Sequence, residues 1–239
     1  MTLSPSFQPL YKQVYDHLTG RLVEGHWKPA EPLPSEMALA QQLGVSQGTV
    51  RKALNQMVTE NLLERRQGKG TYVAEHTQES SLFRFFRLRE PGGDSLIPET
   101  RVLSSLRRTA SKAEQVHLSL KAKSQVVELL RLRFLNGQPA ILEKVIQPLS
   151  VFPDIDKETH LSDALYILYQ EKYGISIVSV RDELHATAVP EAYAEDLGLA
   201  SGSPVLMVER SSINIDGRVV EFSQAYCNSK TFVYAVELK

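Results

Sequence analysis

Between Leu43 and Ser46 stand only Gly44 and Val45, and this two-residue gap constrains the fold more than any other feature of the chain. Ser35 can cap the amides of a helix over residues 36–43, Glu36 lies in its first turn where the helix dipole favours an acid, and Gly44 stops it. Ser46 can then cap a further helix whose apolar positions Val50, Leu54, Met57 and Val58 face inward. Two helices joined by so tight a turn form a helix-turn-helix. An earlier helix over residues 10–24 carries Leu10, Val14, Leu18 and Leu22 on one face, with Gly25 as its C-terminal cap. After the third helix, Asn61 can take a left-handed conformation and Leu62-Leu63 open a strand. Gly68-Lys69-Gly70 then permits a turn into Thr71-Tyr72-Val73, completing a hairpin.

Charge follows these elements. The chain of 239 residues carries a net charge of -1, which argues against indiscriminate binding to polyanions. Residues 1–46 hold three Lys/Arg against four Asp/Glu, whereas residues 47–70 hold five (Arg51, Lys52, Arg65, Arg66, Lys69) against two (Glu60, Glu64). Any nucleic-acid affinity is therefore local. On the third helix, Gln47 and Arg51 lie one turn apart, Thr49, Lys52 and Asn55 flank them with donors, and Gly48 has no side chain to hold a groove wall away. A solvated polar face is the alternative for this helix alone. The hairpin tip shifts the balance, because its glycines leave room for Lys69 to reach a phosphate or a minor groove.

The run from Glu31 to Val73, EPLPSEMALAQQLGVSQGTVRKALNQMVTENLLERRQGKGTYV, resembles the winged helix-turn-helix of the GntR family of bacterial transcription regulators, element for element. The resemblance implies a double-stranded DNA operator, contacted by Ser35, Glu36, Ser46, Gln47, Gly48, Thr49, Arg51, Lys52, Arg66, Gly68, Lys69 and Gly70. Two positions depart from the family pattern: Met37 and Gln47 stand where Arg is frequent. Since Arg typically pairs with guanine and Gln with adenine, Gln47 is expected to alter base preference at one operator position.

Residues 76–97 read as a linker between a DNA-binding domain at 1–75 and a second domain at 98–239. The stretch Phe83-Arg84-Phe85-Phe86-Arg87 reads as a strand joining the second domain's sheet, or as a stacking platform for nucleic acid. Beyond it, strands and short helices alternate: a strand over 100–104, a capping box at Ser111-Lys112-Ala113-Glu114, and a hairpin of 126–135 and 140–147 around Asn136-Gly137. A helix follows over 162–173, then a long strand over 175–189 and a short helix over 190–197. Strands 205–215 and 219–226 pair across Asp216-Gly217, and 233–238 closes the sheet. This is an α+β chain: an N-terminal winged helix-turn-helix, then a mostly antiparallel sheet with helices on one side.

The second part is similar to the UTRA ligand-sensing domain of the HutC-type branch of the same family, a fold like that of chorismate lyase. The signals are softer: LLRLRFLNGQPAILEKVIQP, LYILYQEKYGI, LGLASGSPVLMVERSS and DGRVVEFS. Strand alternation sends Arg131 and Arg133 to one face, where two guanidinium groups need an anion. Pairing with Glu143 or Glu221, or reaching water, is the alternative. The resemblance implies an effector site of Arg131, Arg133, Glu143, Tyr166, Glu221 and Tyr226, and dimerisation through this domain, with two heads reading a near-palindrome. Ala164 stands where sugar-phosphate sensors often carry Ser, and Tyr226-Cys227 where they carry a tyrosine pair. A small anion such as an organic acid is therefore expected in preference to an amino-sugar phosphate.

Other classes receive less support. His17, His26, His76, His117, His160 and His185 show no zinc-ligand spacing, no Gly-x-Ser-x-Gly or phosphate loop occurs, and Asp182-Glu183 reads as solvated surface, so neither catalytic nor metal-binding residues nor a cofactor are expected. A lyase with an accessory winged helix remains the enzyme alternative, and a winged helix that binds protein the other. Cys227 reads as a small buried apolar residue. With no long apolar run and no signal peptide, the expected location is cytoplasmic and away from membranes.

Overall fold

The computed structural model describes residues 8–77, 80, 85–94, 96–158, 161 and 164–237. It divides into two compact units, Met1–His76 and Thr77–Lys239.

The first unit contains α1 (Leu10–Val23), α2 (Glu36–Leu43), α3 (Gln47–Thr59), β1 (Leu63–Arg66) and β2 (Gly70–Val73). The caps form as the side-chain chemistry requires: Ser35 accepts from the Ala38 amide and Ser46 from the Thr49 amide, both at 3.2 Å. Gly44 ends α2 in the left-handed region at φ 67°, where the Val45 amide returns to the Ala40 carbonyl. Asn61 ends α3 in the same way at φ 57°, with the Leu62 amide bonded to the Met57 carbonyl.

Helices α1 and α2 both pack on α3, whose Val50, Ala53, Leu54 and Met57 are almost wholly withdrawn from water. Leu10 is 54% exposed, so the buried stripe of α1 begins at Val14 rather than at Leu10. The hairpin pairs Leu63 with Val73 through Arg66 with Gly70. The Pro-rich stretch runs along its other side, the Leu33 amide donating to the Thr71 carbonyl and the Val73 amide to Glu31. That lateral support fixes the wing to the body of the head.

The second unit is built on one antiparallel sheet of six strands in the order β4-β5-β6-β9-β8-β7. These are β4 (Glu99–Thr109), β5 (Gln125–Leu135), β6 (Gln138–Pro148), β7 (Ile177–Ala188), β8 (Pro204–Asn214) and β9 (Val219–Cys227). Asn136 and Gly137, both at positive φ, make the two-residue turn that sets the β5–β6 register. The capping box forms at Ser111 and Glu114 and opens α4 (Lys112–His117). Helix α5 (Leu165–Tyr173) starts later than expected, and residues 162 and 163 lie outside the described residues.

Helices cover both faces of the sheet, not one. Tyr169 of α5 packs with Phe152, Val127, Leu129 and Val145 on one face. On the other, α6 (Glu191–Ala194) and the residues after it pack on Leu132, Leu142 and Val205, and α4 lies over Val126, Ile146 and Phe222. Two further expectations change. The chain after residue 232 does not close the large sheet: β10 (Val233–Tyr234) pairs with β3 (Leu88–Arg89) in a separate ribbon. Phe85 and Phe86, read as part of a strand of the large sheet, lie in no strand of it, yet with Leu88 they are buried in the core of this unit, because side chains so large and apolar gain more from burial than from solvation.

Candidate nucleic-acid interface and effector site

In the first unit, the exposed face of α3 and the wing carry the polar groups expected of them. Gln47, Arg51, Lys52 and Asn55 are exposed, as are Gln67, Gly68, Lys69 and Gly70 at the hairpin tip. The tip needs its glycines: Gly68 lies at φ 70° and Gly70 at φ 122°, where an L side chain would be strained. At Gly48 an added Cβ would meet nothing closer than Ser46 Oγ at 3.8 Å, so packing within the chain does not demand glycine there.

Glu36 organises this surface. Its Oε2 accepts from Arg51 Nε at 2.8 Å and from Gln47 Nε2 at 3.3 Å, and its Oε1 accepts from Arg65 Nη2 at 3.1 Å. Partial burial raises its pKa, but the hydrogen bonds from Arg51, Arg65 and Gln47 outweigh that and hold it below the usual carboxylate value. Arg65 also donates to Asn55 Oδ1 at 2.7 Å, tying the wing to α3. Lys52 lies over the Tyr11 ring at 4.0 Å, and Arg66 lies over the Tyr72 ring at 4.2 Å while pairing with Glu64. Ser35 and Ser46 serve as helix caps, and Ser46 also bonds the Thr49 hydroxyl. The site expected from sequence omitted Arg65 and Tyr11; the hairpin register, which puts Arg65 opposite Thr71, decides the first.

In the second unit, a cavity of about 40 Å³ opens on the α5 side of the sheet, lined by Arg87, Arg133, Glu143, Arg210, Ser223 and Tyr234 together with apolar neighbours that include Cys227. Three arginines and Glu143 thus line one space, with Asp182 paired to Arg210 beside it, a gathering of arginine that suits an anion. Arg131 and Arg133 do share a face, yet only Arg133 lines the cavity. Arg131 sits behind it, 4% exposed, donating to Glu143 Oε2 at 2.5 Å, while its Nε and Nη1 make no hydrogen bond among the described residues. Arg133 Nη1 is 3.9 Å from the same Glu143 oxygen, and its guanidinium lies over the Phe86 ring. Burial opposes the charge on Glu143, and the two arginines override it, keeping its pKa low.

Glu221 has a different environment. It accepts from the Tyr169 hydroxyl and from Ser212 Oγ at 2.8 Å, and Tyr166 Oη meets Ser212 Oγ at 2.8 Å. Burial dominates here and raises the Glu221 pKa above the usual carboxylate value. Tyr226 departs from expectation. It lies on the opposite face, its ring 5.3 Å from that of Tyr193, because Leu142, its partner in register, faces away from Glu143. Arg87 and Arg210, not expected at this site from sequence, line the cavity too. Asp182 is not the solvated surface expected of it: it is paired with Arg210 through two bonds of 2.7 Å. Burial pushes the Cys227 thiol up to about 12, leaving it inert at neutral pH.

Sequence spacing gave no metal ligands, but β7 and β8 bring Glu183, His185 and Glu209 together, with potential ligand atoms within 4.8 Å of one another at the surface. No helix among the described residues is long and apolar enough to cross a membrane.

A winged helix-turn-helix and an α+β unit with an arginine-lined cavity, carried on one chain, define a ligand-responsive, DNA-binding regulator of transcription. Comparison with known proteins gives the family. Residues 10–73 match the family described as bacterial regulatory proteins, gntR family, and residues 95–233 match the UTRA domain, so the chain belongs to the GntR family and carries a UTRA domain. It is 29% identical over 96% of its length to the mannosyl-D-glycerate transport/metabolism system repressor MngR of Escherichia coli strain K12, covering 95% of that protein. It is 30% identical to the HTH-type transcriptional regulator SmoD of Agrobacterium fabrum, with 97% of each chain covered. The ligand-binding domain of a GntR-family transcriptional regulator from Bordetella bronchiseptica superposes with a TM-score of 0.59 at 25% identity, over 65% of this chain and 98% of that one. These relatives are named as regulators, and the chain is a regulator rather than a lyase.

Proposed function

We propose that the chain acts as a homodimeric repressor whose hold on a near-palindromic operator is changed by a small anion bound in the cavity of the second unit. The observation that carries this reading is the convergence of Arg87, Arg133 and Arg210 on the lining of one cavity. On the DNA side, Gln47 and Arg51 read base edges from α3, Lys52, Arg66 and Lys69 meet phosphates, and Gly48, Gly68 and Gly70 allow close approach. Residues 1–75 serve as the reading head and 98–239 as the sensing and dimerising part, joined by 76–97, of which 85–89 pack with the sensor.

Dimerisation is supported by the two outermost strands of the sheet. β4 and β7 present long unpaired edges, with Val102, Leu106 and Leu184 exposed on them, and such edges are commonly covered in an assembly. Effector and operator are linked reciprocally, so the anion must bind the two DNA-binding states with different affinity. A carboxylate suits the cavity, and one relative is named as the repressor of a transport/metabolism system for mannosyl-D-glycerate, itself a carboxylate.

Gel shifts with the DNA upstream of the chain's own gene, for the parent and for Arg51→Ala with Lys69→Ala, test the head. Calorimetric titration with carboxylates and with sugar phosphates tests the sensor. Undiminished recognition by the double variant, or tight sugar-phosphate binding with none for carboxylates, would overturn the corresponding part.

A further inference from the structure

The guanidinium groups of the cavity are partly answered by the chain itself. Arg210 Nε and Nη2 donate to the two oxygens of Asp182, each at 2.7 Å, the fork geometry in which arginine takes any carboxylate. The Tyr234 hydroxyl donates to Asp182 Oδ2 at 2.5 Å. One carboxylate therefore ties β7 and β8 to β10, the strand that pairs with β3 beside the cavity. Asp182 lies on β7, the outermost strand, so solvent along the sheet's edge is within reach of a turned side chain.

We propose that Asp182 is an internal stand-in for the ligand's anionic group: an entering carboxylate or phosphate takes the Arg210 fork, Asp182 turns out to water, and Tyr234 loses its acceptor. One ion pair replaces another, and no covalent bond changes. The alternative of keeping Asp182 in place beside a bound anion would leave two like charges sharing one guanidinium, which is unfavourable where both are desolvated. The loss falls on the β3–β10 ribbon, which has only two residue pairs, Val233 with Arg89 and Tyr234 with Leu88, plus the Ala235 amide bonded to the Arg87 carbonyl. β3 is the first strand of the second unit in chain order, so the exchange acts on the part of that unit nearest in sequence to the reading head. This inference rests on the reading of the cavity as the effector site.

The test uses the full chain with inorganic phosphate and citrate as probes. Asp182→Asn, which keeps an acceptor for Tyr234 but no charge to compete, is expected to bind the preferred probe at least about tenfold more tightly in calorimetry. Saturating the parent with that probe should speed amide exchange in peptides covering 86–90 and 232–236. Tyr234→Phe, which deletes one hydroxyl, should speed the same exchange without any probe. Equal or weaker binding by Asp182→Asn, binding of neither probe, or unchanged exchange at saturation or in Tyr234→Phe overturns the stand-in. Arg133→Met separates the two failures. If it abolishes probe binding while Asp182→Asn shows no gain, the cavity remains the anion site and only the exchange is wrong; binding that survives Arg133→Met removes the cavity reading itself.

Discussion

Replacing Glu36 with Gln tests how the head separates one DNA sequence from another. The substitution keeps the side chain's size and removes the charge that two arginines answer. Arg51 and Arg65 are 56% and 44% exposed, and pairs so open to water contribute ~0.2–1 kcal/mol each. Together they hold the two guanidinium groups in their present directions by about 1 kcal/mol, a factor of about five in population. Freed of Glu36, Arg51 can swing to the nearest phosphate whatever the bases, and Arg65 is held only by Asn55 among the described residues. Operator affinity should then change little, affinity for unrelated DNA should rise, and the ratio of the two should fall about fivefold. The salt dependence for unrelated DNA should steepen too, since each additional phosphate neutralised adds about 0.9 to the slope of log K against log salt. Fluorescence anisotropy with labelled operator and scrambled duplexes across a range of KCl concentrations measures both quantities. A ratio within about twofold of the parent's, with the same slope, would refute the idea that Glu36 directs these arginines.

Lys69→Ala should lower affinity for operator and unrelated DNA alike and reduce the salt slope by about one, measurable in the same titrations; a change confined to one operator position would point to a base contact instead. Leu54→Ala in α3 should cost about 2–5 kcal/mol in urea unfolding of the head, because its side chain is 1% exposed and the space cannot refill. Glu114 concerns the second unit and pH. Burial opposes its charge, but hydrogen bonds from Arg108 and the Ser111 amide bring its pKa down to about 2. A pKa lower in the folded than in the unfolded state means stability that is complete above pH ~4.5 and is lost as pH falls toward 2. The contribution is about 3 kcal/mol at most and nearer 2, since Arg108 is 26% exposed. Glu114→Gln should therefore be less stable than the parent at pH 7, with the gap narrowing below pH ~4.5 and closing only near pH ~2 in urea titrations; a constant gap would contradict the ion pair's role.

Much of the head could be read from the chain because its instructions are local. A serine cap, a left-handed glycine and a stripe of apolar residues each act within a few positions, so α2 and α3 begin and end where those residues stand. The wing followed for the same reason, with Asn61 and the tip glycines at positive φ. The sensing unit was less legible. Alternation put Arg131 and Arg133 on one face, but alternation does not say how deep a face is covered, and the difference between a sealed Arg131 and a cavity-lining Arg133 depends on what packs above them. Arg210 carried no local mark, and Arg87 stood in an aromatic-rich stretch that pointed to a strand or a nucleic-acid platform instead.

The sequence alone determined the helix-turn-helix, the hairpin beside it, the succession of strands and the local excess of positive charge, since these depend on caps, turns and periodicity within short windows. Only the tertiary structure decided that Glu36 gathers Arg51 and Arg65, that Tyr226 faces away from Glu143, and that Asp182 occupies the fork of Arg210. Each of those depends on register between strands or on the approach of elements far apart in the chain. Register and approach are set by burying whole faces at once, a collective requirement that no short stretch of residues encodes.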